Sequence, residues 1–96
     1  MDRDETVDLL RQHAADMRRF GVVSLAVFGP VARNEAATES DVDVLVHFSG
    51  PSRFDDYMGL EFFLEDLLGR PVDVVPRSSL KPRLEAAVER EAVRVA

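Results

Sequence analysis

Residues 28 to 46 read FGPVARNEAATESDVDVLV, and the two ends of this stretch govern how the rest of the chain is read. The first end closes the apolar run Val22-Val23-Ser24-Leu25-Ala26-Val27-Phe28, a strand-forming segment stopped by Gly29-Pro30. The second end opens Asp41-Val42-Asp43-Val44-Leu45-Val46-His47-Phe48, a second predicted strand that stops at Ser49-Gly50-Pro51-Ser52. Between them runs a polar segment in which Val31 to Arg33 suits a single turn of helix.

Upstream, Val7, Leu10, His13, Ala14, Met17 and Phe20 recur at three- and four-residue spacing, which predicts a helix over 5–19 with Gly21 as its stop. Downstream, residues 54 to 68 carry the clearest helical period. Leu60, Phe63, Leu64, Leu67 and Leu68 form an apolar stripe, Gly69 suits the C-terminal cap, and Pro71 prevents continuation. Val72-Asp73-Val74-Val75 is a third short strand, and residues 79 to 91 form a last helix with Leu80, Leu84, Ala87 and Val88 on one side. Ala92 to Ala96 is a candidate terminal strand. The order α-β-(α)-β-α-β-α predicts one α/β domain over 1–96, with a three- or four-stranded mixed sheet and helices packed against it.

Composition removes several alternatives. A chain of 96 residues that is 46% hydrophobic and 31% charged has one small core and is too apolar for disorder. The absence of cysteine excludes disulfides and thiolate metal sites, and suits a cytoplasmic location. No apolar run reaches the roughly 18 residues of a membrane span, and Met1-Asp2-Arg3-Asp4-Glu5 has the wrong charge for a secretion signal. With 18 acidic residues against 12 Lys and Arg, the net charge of −6 repels phosphates, so no direct nucleic-acid binding is expected. A polyphosphate would be held only if a divalent cation reversed that sign locally.

Three aspartates stand inside or beside apolar strands. Unpaired buried carboxylates cost several kcal/mol, so such groups persist when paired, hydrogen-bonded or bound to metal. Asp41 and Asp43 lie two positions apart and therefore project to one face, about 6.5–7 Å apart at the backbone. Asp73, on a neighbouring strand, is placed to add a third carboxylate, and hard oxygen ligands of this kind favour Mg²⁺ or Mn²⁺. Apolar–polar alternation alone also describes a half-exposed strand, so the upstream segment has to decide between the two.

The spacing is Gly29-Pro30, ten residues (31–40), then Asp41-Val42-Asp43. This resembles the signature of the DNA polymerase β-like nucleotidyltransferases, Gly-Ser followed after ten residues by Asp-x-Asp, with a third carboxylate on a later strand where Asp73 stands. The run Tyr57 to Arg70 and the short length look like the minimal nucleotidyltransferases (MNT), antitoxins paired with HEPN-domain toxins. The resemblance covers about Val22 to Ala96. It implies that Asp41, Asp43 and Asp73 are catalytic and hold two Mg²⁺ ions, with Mn²⁺ as a substitute. It further implies that AMP passes from ATP to a hydroxyl of the partner toxin, a tyrosine hydroxyl in that family, within a hetero-oligomer. Gly29, Pro30 and Arg33 would then form the nucleotide-binding turn, with amides near Val31 and the Arg33 guanidinium facing phosphates.

Position 30 departs from the pattern. Proline has neither the hydroxyl nor the N–H of serine, although it suits the first helical position. Losing one or two charge-assisted bonds of about 1.5–3 kcal/mol each would weaken nucleotide binding roughly ten- to ten-thousand-fold. An alternative function follows: neutralising a HEPN ribonuclease by binding alone. A nucleotide-binding subunit of a larger transferase is a third reading. Asn34 replaces a glycine common in the family, a mild change because asparagine tolerates left-handed backbone. His13 reads as a core or boundary histidine, and His47 shares a face with Asp41 and Asp43. Arg77, Lys81 and Arg83 form a local basic excess at the start of the last helix. Phe54, Phe62, Phe63 and Leu68 read mainly as core, with some apolar positions of that helix left for a partner.

Overall fold

The computed structural model describes residues 2–35, 41–50 and 54–96. Helix α1 (Arg3–Gln12) starts where the Asp2 side chain accepts a hydrogen bond from the Glu5 amide, 2.9 Å away, with Asp4 and Glu5 in the favourable first turn. The single helix expected over 5–19 is broken: His13 leaves helical geometry, α2 (Ala14–Met17) follows, and a 3₁₀ turn (Arg18–Phe20) ends at Gly21 with φ of 77°. The break costs the core nothing, since Val7, Leu10 and Met17 all stay buried.

Strand β1 (Val22–Phe28) runs into the short helix α3 (Gly29–Ala32), and β2 (Val42–Phe48) returns antiparallel to β1. Helix α4 (Phe54–Leu68) crosses over to β3 (Val72–Pro76), which lies parallel to β2. After a 3₁₀ turn (Arg77–Ser79), α5 (Pro82–Glu91) begins at a proline in its first turn, three residues later than the period suggested, because Leu80 and Lys81 are extended. Strand β4 (Val93–Arg94) pairs antiparallel with β1, so the terminal strand exists and the mixed sheet has four strands in the order β3-β2-β1-β4.

Strand alternation divides the sheet into two faces. Val42, Val44, Val46, Leu25, Val27, Val72 and Val74 join Leu10, Met17, Leu60 and Leu64 in one buried cluster. Leu60, Leu64 and Leu68 recur every four residues and fix the inward side of α4. Phe62 lies on the opposite side and is 63% exposed, so it is not core as expected; Phe63 is half-buried against Phe20, with ring centres 5.7 Å apart. Of Phe54, only its place at the start of α4 is described. Side chains of α4 also cover the outer edge of β3: Tyr57 donates to the Val74 carbonyl at 2.9 Å, and Glu65 accepts from the Val72 amide at 3.0 Å. Those bonds satisfy backbone groups that an edge strand otherwise leaves open.

Among the described residues, no helix is long and apolar enough to cross a membrane.

Candidate active site

The face of β2 opposite the core carries Asp43, Leu45 and His47. Asp43 pairs in register with Asp73 across the parallel β2–β3 ladder, which sets the two backbones about 4.8 Å apart. Asp41 is exposed and immediately precedes β2, whose first amide, Val42, bonds the Pro71 carbonyl at 3.0 Å. The chain therefore brings the three predicted carboxylates to one end of two adjacent strands. Partial burial, then the charges of Asp73 and Asp41, hold Asp43 above the usual carboxylate range, while nearby Arg33 opposes the shift.

Among the described residues, no three carboxylate or histidine side chains already converge on one point at ligand distance, so the aspartates form a row and not a closed cage. The row is still suited to hard-cation chemistry. Its donors are all carboxylate oxygens, and the like-charge repulsion on Asp43 is what Mg²⁺ or Mn²⁺ would relieve.

Gly29 has φ of 74°, and a Cβ built there would run into the Asp43 carboxylate. The glycine is thus needed twice, for its backbone and for its missing side chain. Pro30 follows within α3, and its carbonyl accepts the Glu35 amide at 2.8 Å. Asn34, with φ of 58°, is the one non-glycine residue among those described with a left-handed backbone, as its replacement of glycine suggested. Arg33 reaches Glu35 through Nε at 3.0 Å and Glu91 through Nη1 at 2.8 Å, and both bonds raise its affinity for its proton.

Sequence reasoning missed Glu91. One of its oxygens binds Arg33, and the other accepts the Gly29 amide at 2.9 Å; the Arg33 bond first, then the amide, draws its carboxyl below the ordinary range against the effect of burial. Nothing in the local sequence Glu89-Arg90-Glu91 distinguishes it, because its partners lie some sixty residues earlier.

Other expected residues fall to the periphery. His47 and Arg77 line a cavity of about 210 Å³ beneath α5, with Ala26, Leu45 and Arg94. Arg77 is occupied by Glu89 at 3.0 Å and Glu85 at 3.6 Å, whereas Lys81 and Arg83 are simply exposed. His13 is a boundary residue, with Nδ1 3.1 Å from Asp16 and its ring edge-on to Phe63.

Residues 10–95 match the family model for the nucleotidyltransferase domain. The chain belongs to that family. This nucleotidyltransferase is 43% identical over 93 residues to the protein adenylyltransferase MntA of Thermococcus cleftensis, a match spanning 96% of the chain and 94% of the relative. A solved structure described as a minimal nucleotidyltransferase superposes with a TM-score of 0.85 at 40% identity, covering 97% of this nucleotidyltransferase and 95% of that chain. The fold is also shared, at a TM-score of 0.67 and 17% identity, with a complex of a tri-AMPylated Shewanella oneidensis HEPN toxin and an MNT antitoxin, where the match covers 94% of this chain and 71% of the other.

Proposed function

We propose that this minimal nucleotidyltransferase is an antitoxin that transfers AMP from ATP to a hydroxyl of a HEPN-domain toxin, a tyrosine hydroxyl by the family resemblance. The observation that carries the proposal is the in-register pair Asp43 and Asp73, joined by Asp41 and set against the Gly29 turn. The name of the Thermococcus cleftensis relative and the subject of the Shewanella complex support the choice of protein acceptor and partner.

In this reading Asp41, Asp43 and Asp73 hold two divalent ions, which supply charge neutralisation for the attacking and leaving oxygens of an in-line displacement. The acceptor oxygen bonds to the α-phosphorus as the bond to the α–β bridging oxygen breaks, and pyrophosphate leaves. Asp73, exposed on the outer strand β3, takes the acceptor proton. Arg33 contributes positive charge beside Asp43, where phosphate oxygens have to sit. Exposed Phe62 gives the toxin an apolar contact away from the sheet.

Pro30 favours a second reading. It presents neither hydroxyl nor amide at the turn, so nucleotide binding is weakened and neutralisation rests on complex formation alone. Intact-mass measurement separates the two. The proposed HEPN-domain partner is incubated with the chain, ATP and Mg²⁺. Adenylyl transfer adds the mass of AMP to the partner, and Asp41→Asn and Asp43→Asn abolish the gain. An unmodified partner in a tight complex supports binding alone.

A further inference from the structure

Glu91 is the last residue of α5, where the helix macrodipole disfavours a carboxylate. It is held there by two donors from the end of β1 and the short helix α3 that follows it, the Gly29 amide at 2.9 Å and Arg33 Nη1 at 2.8 Å. Helix α5 contributes no fully buried residue. Polar ties therefore attach it: Arg77 to Glu85 and Glu89 near its start and middle, and Glu91 at its end. The same carboxylate spans the two parts of the turn that faces Asp43, its glycine and its cation.

We infer that Glu91 is a positioning residue for nucleotide binding: its two oxygens lock the Gly29 turn and the Arg33 guanidinium into one geometry. An exposed arginine samples many rotamers and loses that freedom on meeting a phosphate. With Nε on Glu35 and Nη1 on Glu91, Arg33 is already oriented, and Nη2 has no side-chain partner among the described residues. Glu91 also lies close enough to raise the proton affinity of Asp43, which places it beside the carboxylate row without joining it. The inference rests on the adenylyl-transfer reading, and it adds a residue that neither the spacing of the motif nor the aspartates point to.

The test is titration of the purified chain with ATP and Mg²⁺ for wild type, Glu91→Gln, Arg33→Ala and the double variant. The Gly29 amide is followed by NMR in each. Glutamine keeps the size of the side chain and an acceptor for Gly29, but it loses the ion pair. The expected results are ATP binding about three- to tenfold weaker in Glu91→Gln, a moved Gly29 amide resonance, little change in melting temperature, and a double variant no weaker than Arg33→Ala. Unchanged ATP affinity in Glu91→Gln overturns the inference, as do tighter binding, which would make Glu91 a competitor of phosphate, and additive losses in the double variant, which would make its role purely structural. Absence of ATP binding by the wild type removes the nucleotide reading itself, and the inference falls with it; binding by wild type and Glu91→Gln alike removes only the role of Glu91.

Discussion

The carboxylate of Asp43 lies over the Cα of Gly29, in the space that a side chain at position 29 would need. Gly29, the residue after β1, and Asp43, near the start of β2, thus meet at one point across thirteen intervening residues. The close approach explains why the first glycine of the signature has to be glycine. Serine or proline at the next position is a separate question, concerned with phosphate and not with packing.

Gly29→Ala therefore fails for two reasons, whereas Gly69→Ala fails for one. Both glycines have left-handed backbones, with φ of 74° and 65°, but a Cβ at Gly69 meets nothing within 4 Å. Gly69→Ala is expected to cost about 1–2 kcal/mol of backbone strain and to leave Mg²⁺-dependent ATP binding intact. Gly29→Ala loses more stability and also loses ATP binding, because the Asp43 carboxylate has to move. Thermal melts with and without ATP and Mg²⁺ compare the pair.

Asp43→Asn stabilises the metal-free protein. Burial, Asp73 and Asp41 raise the proton affinity of Asp43 in the folded state, so in that raised range the folded chain binds more protons than the unfolded one. Stability is fully present below the unfolded carboxylate pKa and declines as pH rises through the higher folded value. Asparagine removes that decline, so the metal-free variant melts above the wild type at neutral pH. Melting curves across pH in EDTA measure it. Added Mg²⁺ should raise the wild-type melting temperature and leave the variant unmoved.

Tyr57→Phe opens the outer edge of the sheet. The hydroxyl bonds the Val74 carbonyl at 2.9 Å, one residue from Asp73. Its loss is expected to cost about 0.5–1.5 kcal/mol. It should also speed hydrogen exchange in β3 more than in β1. Urea unfolding and amide exchange report the two effects.

Pro30→Ser restores a hydroxyl and an N–H to α3. ATP affinity should rise at least about tenfold, the equivalent of one charge-assisted hydrogen bond. Fold stability should change by less than about 1 kcal/mol, since proline and serine both suit the start of a helix. Calorimetric titration with ATP checks the affinity, and a melt checks the stability.

Much of this was legible from residue order. The spacing from Gly29 to Asp41 and Asp43, and the aspartate set in the third strand, predicted both the fold and the row of carboxylates, because strand parity fixes which side chains share a face. The break at His13 was not legible, since Val7, Leu10 and Met17 keep the same apolar period across two helices as across one. Phe62 was misjudged as core because apolar character alone does not give helix phase; the four-residue recurrence of Leu60, Leu64 and Leu68 does. Glu91 stayed hidden for a different reason. Its role depends on where α5 ends relative to α3, a tertiary relationship between segments far apart in the chain.

Adenylyl transfer is tested most directly by following two labels. The purified chain, the proposed HEPN-domain partner and Mg²⁺ are incubated with ATP labelled at either the α- or the γ-phosphate. The account predicts that α-label enters the HEPN protein, that γ-label leaves as pyrophosphate, and that Asp43→Asn abolishes incorporation. Incorporation of γ-label, or a stable complex that takes up neither label, would contradict it.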